Sequence, residues 1–156
     1  MTPKGFGFLT NLRELEIGPF SDEGDSSIDE LDWTGLIMIS YSSSSTLRQL
    51  TLVGSPHIES LPDQLQYLTS LTCLSLQGFG GIEALPDWLG NLAYLEWLEL
   101  WKCKKLRYLP SVDAMRRLTK LRYLRVNICP LLKERCNLQS GPEWPKISHI
   151  PERRIV

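Results

Sequence analysis

Apolar positions in this chain recur in blocks of one shape, with apolar side chains at positions one, four and six. The blocks are Leu12, Leu15, Ile17; Leu47, Leu50, Leu52; Leu71, Leu74, Leu76; Leu95, Leu98, Leu100; and Leu121, Leu124, Val126. Alternation from position three to position seven predicts a short strand with one side facing a core. The intervals between first leucines are 35, 24, 24 and 26 residues. The later half of the unit repeats too. Leu61-Pro62, Leu85-Pro86 and Leu109-Pro110 each follow their first leucine by the same step, and Leu65 and Leu68 match Leu89 and Leu92.

A spacing of about 20–29 residues with this element is the leucine-rich repeat signature. One strand-and-turn unit cannot bury its own apolar side, so units stack and share a core. Each strand returns after a crossover, so the strands are expected to pair in parallel. The predicted fold is α/β: a leucine-rich repeat solenoid, a horseshoe arc with parallel strands on the concave face. "DQLQYL" and "DWLGNL" are too short for long helices and predict helical or 3₁₀ turns on the convex side. A single domain over 1–156 holds about five units. Residues 21–45 read as an irregular unit with a mobile acidic and Ser-rich loop, on which Leu36, Ile37 and Ile39 dock to the coil. From Cys129 the repeat is lost, and 129–156 is expected to be a C-terminal cap, since solenoid ends need cover.

Positions three, five and seven of each strand are expected on the concave face. Their columns run Glu14, Gln49, Cys73, Trp97, Tyr123; then Glu16, Thr51, Ser75, Glu99, Arg125; then Gly18, Val53, Gln77, Trp101, Asn127. In "LEWLELWKCKKLRYLP" this turns two tryptophans outward. Trp97, Trp101 and Tyr123, framed by Glu96, Glu99, Arg122 and Arg125, have the composition of a protein-binding hot spot. In-register pairing would set Glu96 beside Arg122 and Glu99 beside Arg125. A second reading stays open, in which the aromatics stack on neighbours and cover the last coils.

That same stretch, with Cys103 at the ninth position of its unit, resembles the repeats of plant intracellular immune receptors of the nucleotide-binding, leucine-rich repeat family. The ending "CPLLKERCNLQSGPEWPKISHIP" is similar to the terminal segment of the coiled-coil branch of that family. The resemblance implies defence signalling, with repeats that sense a pathogen effector or a guarded host protein and restrain a nucleotide-driven switch. The family's phosphate loop, G-x-x-x-x-G-K-[ST], is not in this sequence, so nucleotide binding is not carried over and no cofactor is expected. A repeat-only scaffold or adaptor for protein–protein interaction is the alternative.

Charge sharpens the partner. Residues 1–94 hold 3 basic and 12 acidic side chains, and residues 95–156 hold 14 and 6. Lys102, Lys104, Lys105 and Arg107 form a basic surface suited to an acidic partner, such as an adjoining nucleotide-binding switch domain. The cations spread over several sides and match no nucleic-acid module, so nucleic acid is not expected. No apolar run approaches a membrane span. The start "MTPKGFGFLTNLREL" is a poor secretory signal, which predicts a cytoplasmic or nuclear protein with reduced thiols. Cys103 and Cys129, at ninth positions, read as buried structural thiols. Cys129, Cys136 and His149 lack zinc-ligand spacing, and neither they nor His57 make a convincing catalytic set. No metal site and no enzyme activity are expected.

Overall fold

The computed structural model describes residues 12–18, 47–137 and 140–156. The irregular unit expected over 21–45, with its docking residues Leu36, Ile37 and Ile39, lies outside the described residues. Six strands form one parallel sheet in chain order: β1 (Glu14–Ile17), β2 (Gln49–Val53), β3 (Cys73–Gln77), β4 (Trp97–Trp101), β5 (Tyr123–Asn127) and β6 (Glu152–Ile155). This is a leucine-rich repeat solenoid. Register follows the repeat. Leu50, Leu74, Leu98 and Leu124 are mutual partners across β2 to β5, and so are Leu52, Leu76, Leu100 and Val126.

The core is this pair of ladders extended by the rest of the unit. Leu98, Leu100, Leu95 and Leu106 are fully buried, as are Leu74, Leu92 and Leu89. Burying each such side chain stabilises by roughly 1.5–3 kcal/mol. The L-P steps bring Leu61, Leu85 and Leu109 into the same core. Proline has no amide hydrogen to leave unpaired at the start of a helical turn. Pro62 and Pro86 accordingly stand just before 3₁₀ turns at Asp63–Tyr67 and Asp87–Asn91. In the longer fourth interval the matching segment is an α-helix, α1 (Val112–Arg117), whose first turn is capped by Ser111 accepting the Ala114 amide at 3.2 Å. Polar links tie these convex turns together. The Ser111 amide donates to Asp87 Oδ1 at 2.7 Å, and Arg117 Nη1 donates to Asn91 Oδ1 at 2.7 Å.

The chain leaves three successive strands through a left-handed residue at position eight: Gly78 (φ 73°), Lys102 (φ 55°) and Ile128 (φ 55°). Glycine takes this conformation freely, whereas a β-branched residue resists it. The ninth side chain then turns inward. Cys103 and Cys129 are both buried. The Cys103 amide donates to Cys129 Sγ (3.4 Å), and Cys129 Sγ donates to the Leu100 carbonyl (3.6 Å). The hydrogen bond with Cys129 and burial push the Cys103 thiol up from its ordinary range.

The tail is where the structure adds most. Helices α2 (Pro130–Arg135) and α3 (Trp144–Ile147) lead into β6, a sixth strand absent from the sequence expectation. Leu132, Ile147 and Ile150 join the common core. β6 continues the repeat frame with Ile150 at position one and Ile155 at position six. Arg153 stands at position four, where the repeat has leucine, and pairs in register with Leu124. Its guanidinium lies 5.0 Å from the Trp144 ring, and Nη1 donates to the carbonyls of Ser148 and Ile150. Arg153 is exposed, so the last strand described carries a cation at position four without burying its charge.

Candidate functional site

The concave face is set by strand parity, so its rows can be followed across the sheet. Row three runs Glu14, Gln49, Cys73, Trp97, Tyr123, Glu152, and row five runs Glu16, Thr51, Ser75, Glu99, Arg125, Arg154. Up to β5 these are the columns expected from the repeat. Trp97 and Tyr123 are directly paired, with ring centroids 5.0 Å apart and planes tilted by 32°. Trp97 remains 37% exposed. The rings make a tilted contact that half-buries Tyr123 and leaves part of Trp97 facing solvent.

Beside the rings runs a chain of polar contacts. Arg125 Nη1 lies 3.3 Å from Glu99 Oε1. Ser75 Oγ donates to Glu99 Oε2 at 3.1 Å and accepts from Gln77 Nε2 at 3.1 Å. Ser75 is a buried polar side chain, and these two bonds satisfy it. The Arg125 side chain is 41% exposed, so its ion pair contributes only about 0.2–1 kcal/mol. Its role is to fix Glu99 and Arg125 in place. Cys73, one strand from Trp97, has its thiol raised by burial and then by the nearby Glu99 and Glu14 charges.

The other residues expected at the site divide. Trp101 is half-buried, and Lys102 Nζ sits 4.3 Å from its ring centroid, a cation–π contact. Glu96 and Arg122 meet only through the main chain, where the Arg122 amide donates to the Glu96 carbonyl at 2.9 Å. Their side chains form no ion pair among the described residues, contrary to the in-register expectation. The reason is their place at position two, before β4 and β5 begin, so neither belongs to a concave row. Lys104, Lys105 and Arg107 are exposed on the turn beyond β4. Of the four basic residues, only Lys102 reaches the aromatic patch.

Sequence reasoning missed Glu152 and Arg154, which extend the concave face by one strand. They help line a groove of about 520 Å³ together with Trp97, Tyr123 and Arg125. A signal existed: Ile150 and Ile155 keep positions one and six of the repeat, and only the arginine at position four hides it. Glu143 was also missed. This buried carboxylate accepts the Leu109 amide at 2.8 Å and lies 2.8 Å from Lys146 Nζ and 3.7 Å from Arg135 Nη2. It is a structural clamp for the tail, away from the concave face.

Among the described residues the cysteine and histidine considered as a nucleophile pair are not brought together as one. Cys136 is buried, and burial, with Glu143 next, pushes its thiol up to about 12, the reverse of an activated nucleophile. His149 is exposed and makes no hydrogen bond with it. Among the described residues no group of three or more His, Cys, Asp or Glu could hold a metal, and no helix is long and apolar enough to cross a membrane.

Fold and face together define a leucine-rich repeat protein-interaction module, and repeat domains of this kind are generally non-catalytic. Residues 63–129 match the family model described as R13L1/DRL21 LRRs. That similarity supports a repeat protein of the disease-resistance type. No curated protein and no solved structure matches the chain.

Proposed function

We propose that this chain is the recognition and regulatory repeat region of a plant intracellular immune receptor. Residues 129–156 act as the cap of its solenoid. The partner on the concave face is a pathogen effector or a guarded host protein. Lys104, Lys105 and Arg107 meet an acidic surface of an adjoining nucleotide-binding switch domain. The region binds no nucleic acid and works in the cytoplasm or nucleus.

The observation that carries this reading is the Trp97–Tyr123 pair, with Trp97 exposed and Tyr123 half-buried, beside the Glu99–Arg125 ion pair on the concave face. Large aromatics with polar groups alongside supply much area at low entropic cost. The similarity of residues 63–129 to resistance-type repeats supports the defence setting. The test is the gene product expressed in leaf tissue challenged with the pathogen. Trp97→Ala with Tyr123→Ala should abolish the defence response while protein abundance holds. An unchanged response at equal abundance would refute the sensor role and leave the scaffold or adaptor alternative.

A further inference from the structure

We infer that the groove at the β5–β6 end of the concave face takes a carboxylate-bearing peptide segment of the partner, with an apolar side chain next to the carboxylate. The inference rests on the recognition reading above and adds the chemistry of what is recognised.

Register makes the argument. Arg125 and Arg154 are direct partners on neighbouring parallel strands, on the same face. Like charges set opposite each other in a sheet repel and lower stability. Glu99 answers only one of them, through Arg125 Nη1 at 3.3 Å, and also accepts from Ser75. Arg154 is exposed and has no ion pair among the described residues. The Arg125 side chain is 41% exposed and lines the groove with Arg154. Two arginines at paired register positions on one face, one of them without an ion pair among the described residues, match a carboxylate in charge and in planar shape.

The row below sets the neighbour of that carboxylate. Trp97 and Tyr123 form the apolar wall of the same groove. An aliphatic or aromatic side chain adjoining the acid would lie on them. Glu152, paired with Tyr123 and lining the groove, closes the row with a negative charge. It disfavours a second acid at that end and so gives the segment a direction.

The probe is a displayed library of random peptides of fixed length, selected on the intact chain. The best binder is then synthesised as three versions: with its acids, with those acids replaced by the matching amides, and with a phosphoserine in place of the acid. The expected result is enrichment of Asp or Glu next to an apolar residue. Amide replacement and Arg154→Gln should each weaken binding by at least about tenfold. Arg154→Lys should weaken binding less than Arg154→Gln does, because it keeps the charge and loses only the planar fork, and neither variant should melt below the parent. Binders without acids that Trp97→Ala abolishes would overturn this inference and leave the recognition reading standing. An Arg154→Gln variant that binds normally would overturn it as well. So would a peptide that binds only when phosphorylated, or a library that yields no binder.

Discussion

Glu143 accepts the main-chain amide of Leu109 at 2.8 Å, across 34 residues of chain. The L-P step of the last full unit is thereby tied to the tail that covers it. Lys146 completes the contact by donating to both Glu143 Oε2 (2.8 Å) and the Leu109 carbonyl (3.1 Å). Both main-chain groups of Leu109, one inward and buried, are satisfied by side chains from the tail.

Removing that carboxylate should be costly. Glu143→Ala leaves a buried amide without an acceptor and the Lys146 ammonium without its counter-charge. The expected loss is about 3–5 kcal/mol in a urea melt. Pairing it with Lys146→Met should recover part of the loss, since the unpaired cation is then gone. A single variant within about 1 kcal/mol of the parent would contradict the clamp.

Leu98 tests the shared core. It is fully buried between Leu74 and Leu124 on the flanking strands. Leu98→Ala should destabilise by about 2–5 kcal/mol through lost transfer energy and the cavity left behind. An unchanged thermal midpoint would contradict the packing.

The concave aromatics should behave differently. Trp97→Ala should reduce partner binding by at least about 2 kcal/mol, as expected of a hot-spot tryptophan. Its effect on folding should be about 1 kcal/mol, from the lost ring contact with Tyr123. Binding by calorimetry and stability by denaturation separate the two effects. A large stability loss with intact binding would make the pair packing alone.

The buried thiols set a pH dependence. Burial pushes the Cys136 thiol up to about 12, and burial likewise raises the Cys73 thiol. In the unfolded chain these thiols ionise near their ordinary value. Their contribution is therefore full below about pH 8.5 and is lost progressively as pH rises toward the folded values. Urea midpoints should fall through the alkaline range, and Cys136→Ala should flatten that fall. A midpoint that rises with pH there, or a fall unaltered by the substitution, would contradict the assignment.

Ile128 carries strain that can be relieved. It is 45% exposed with φ 55°, in a conformation that a β-branched residue adopts at a cost of about 1–2 kcal/mol. Ile128→Asn should raise stability by up to about 1 kcal/mol, because asparagine tolerates this region. A lower melting temperature would show that the isoleucine side chain contributes more than the backbone costs.

The sequence by itself determined the repeat, because the physics of a solenoid is one-dimensional. Each coil touches its neighbours, so Leu98 meets Leu74 and Leu124 for the same reason that the spacing repeats. The register of the concave rows up to Tyr123 and the short convex turns after Leu61-Pro62 and Leu85-Pro86 were legible on that ground. Only the tertiary structure decided what happens after Cys129. There the partners are distant in sequence and chosen by shape and charge. Nothing in the pattern ties Glu143 to Leu109, and an arginine at position four concealed β6. The groove needed that strand, since Arg154 becomes the neighbour of Arg125 only when the tail folds back along the sheet. Position two misled for a local reason: Glu96 and Arg122 precede their strands, where parity no longer says which way a side chain points.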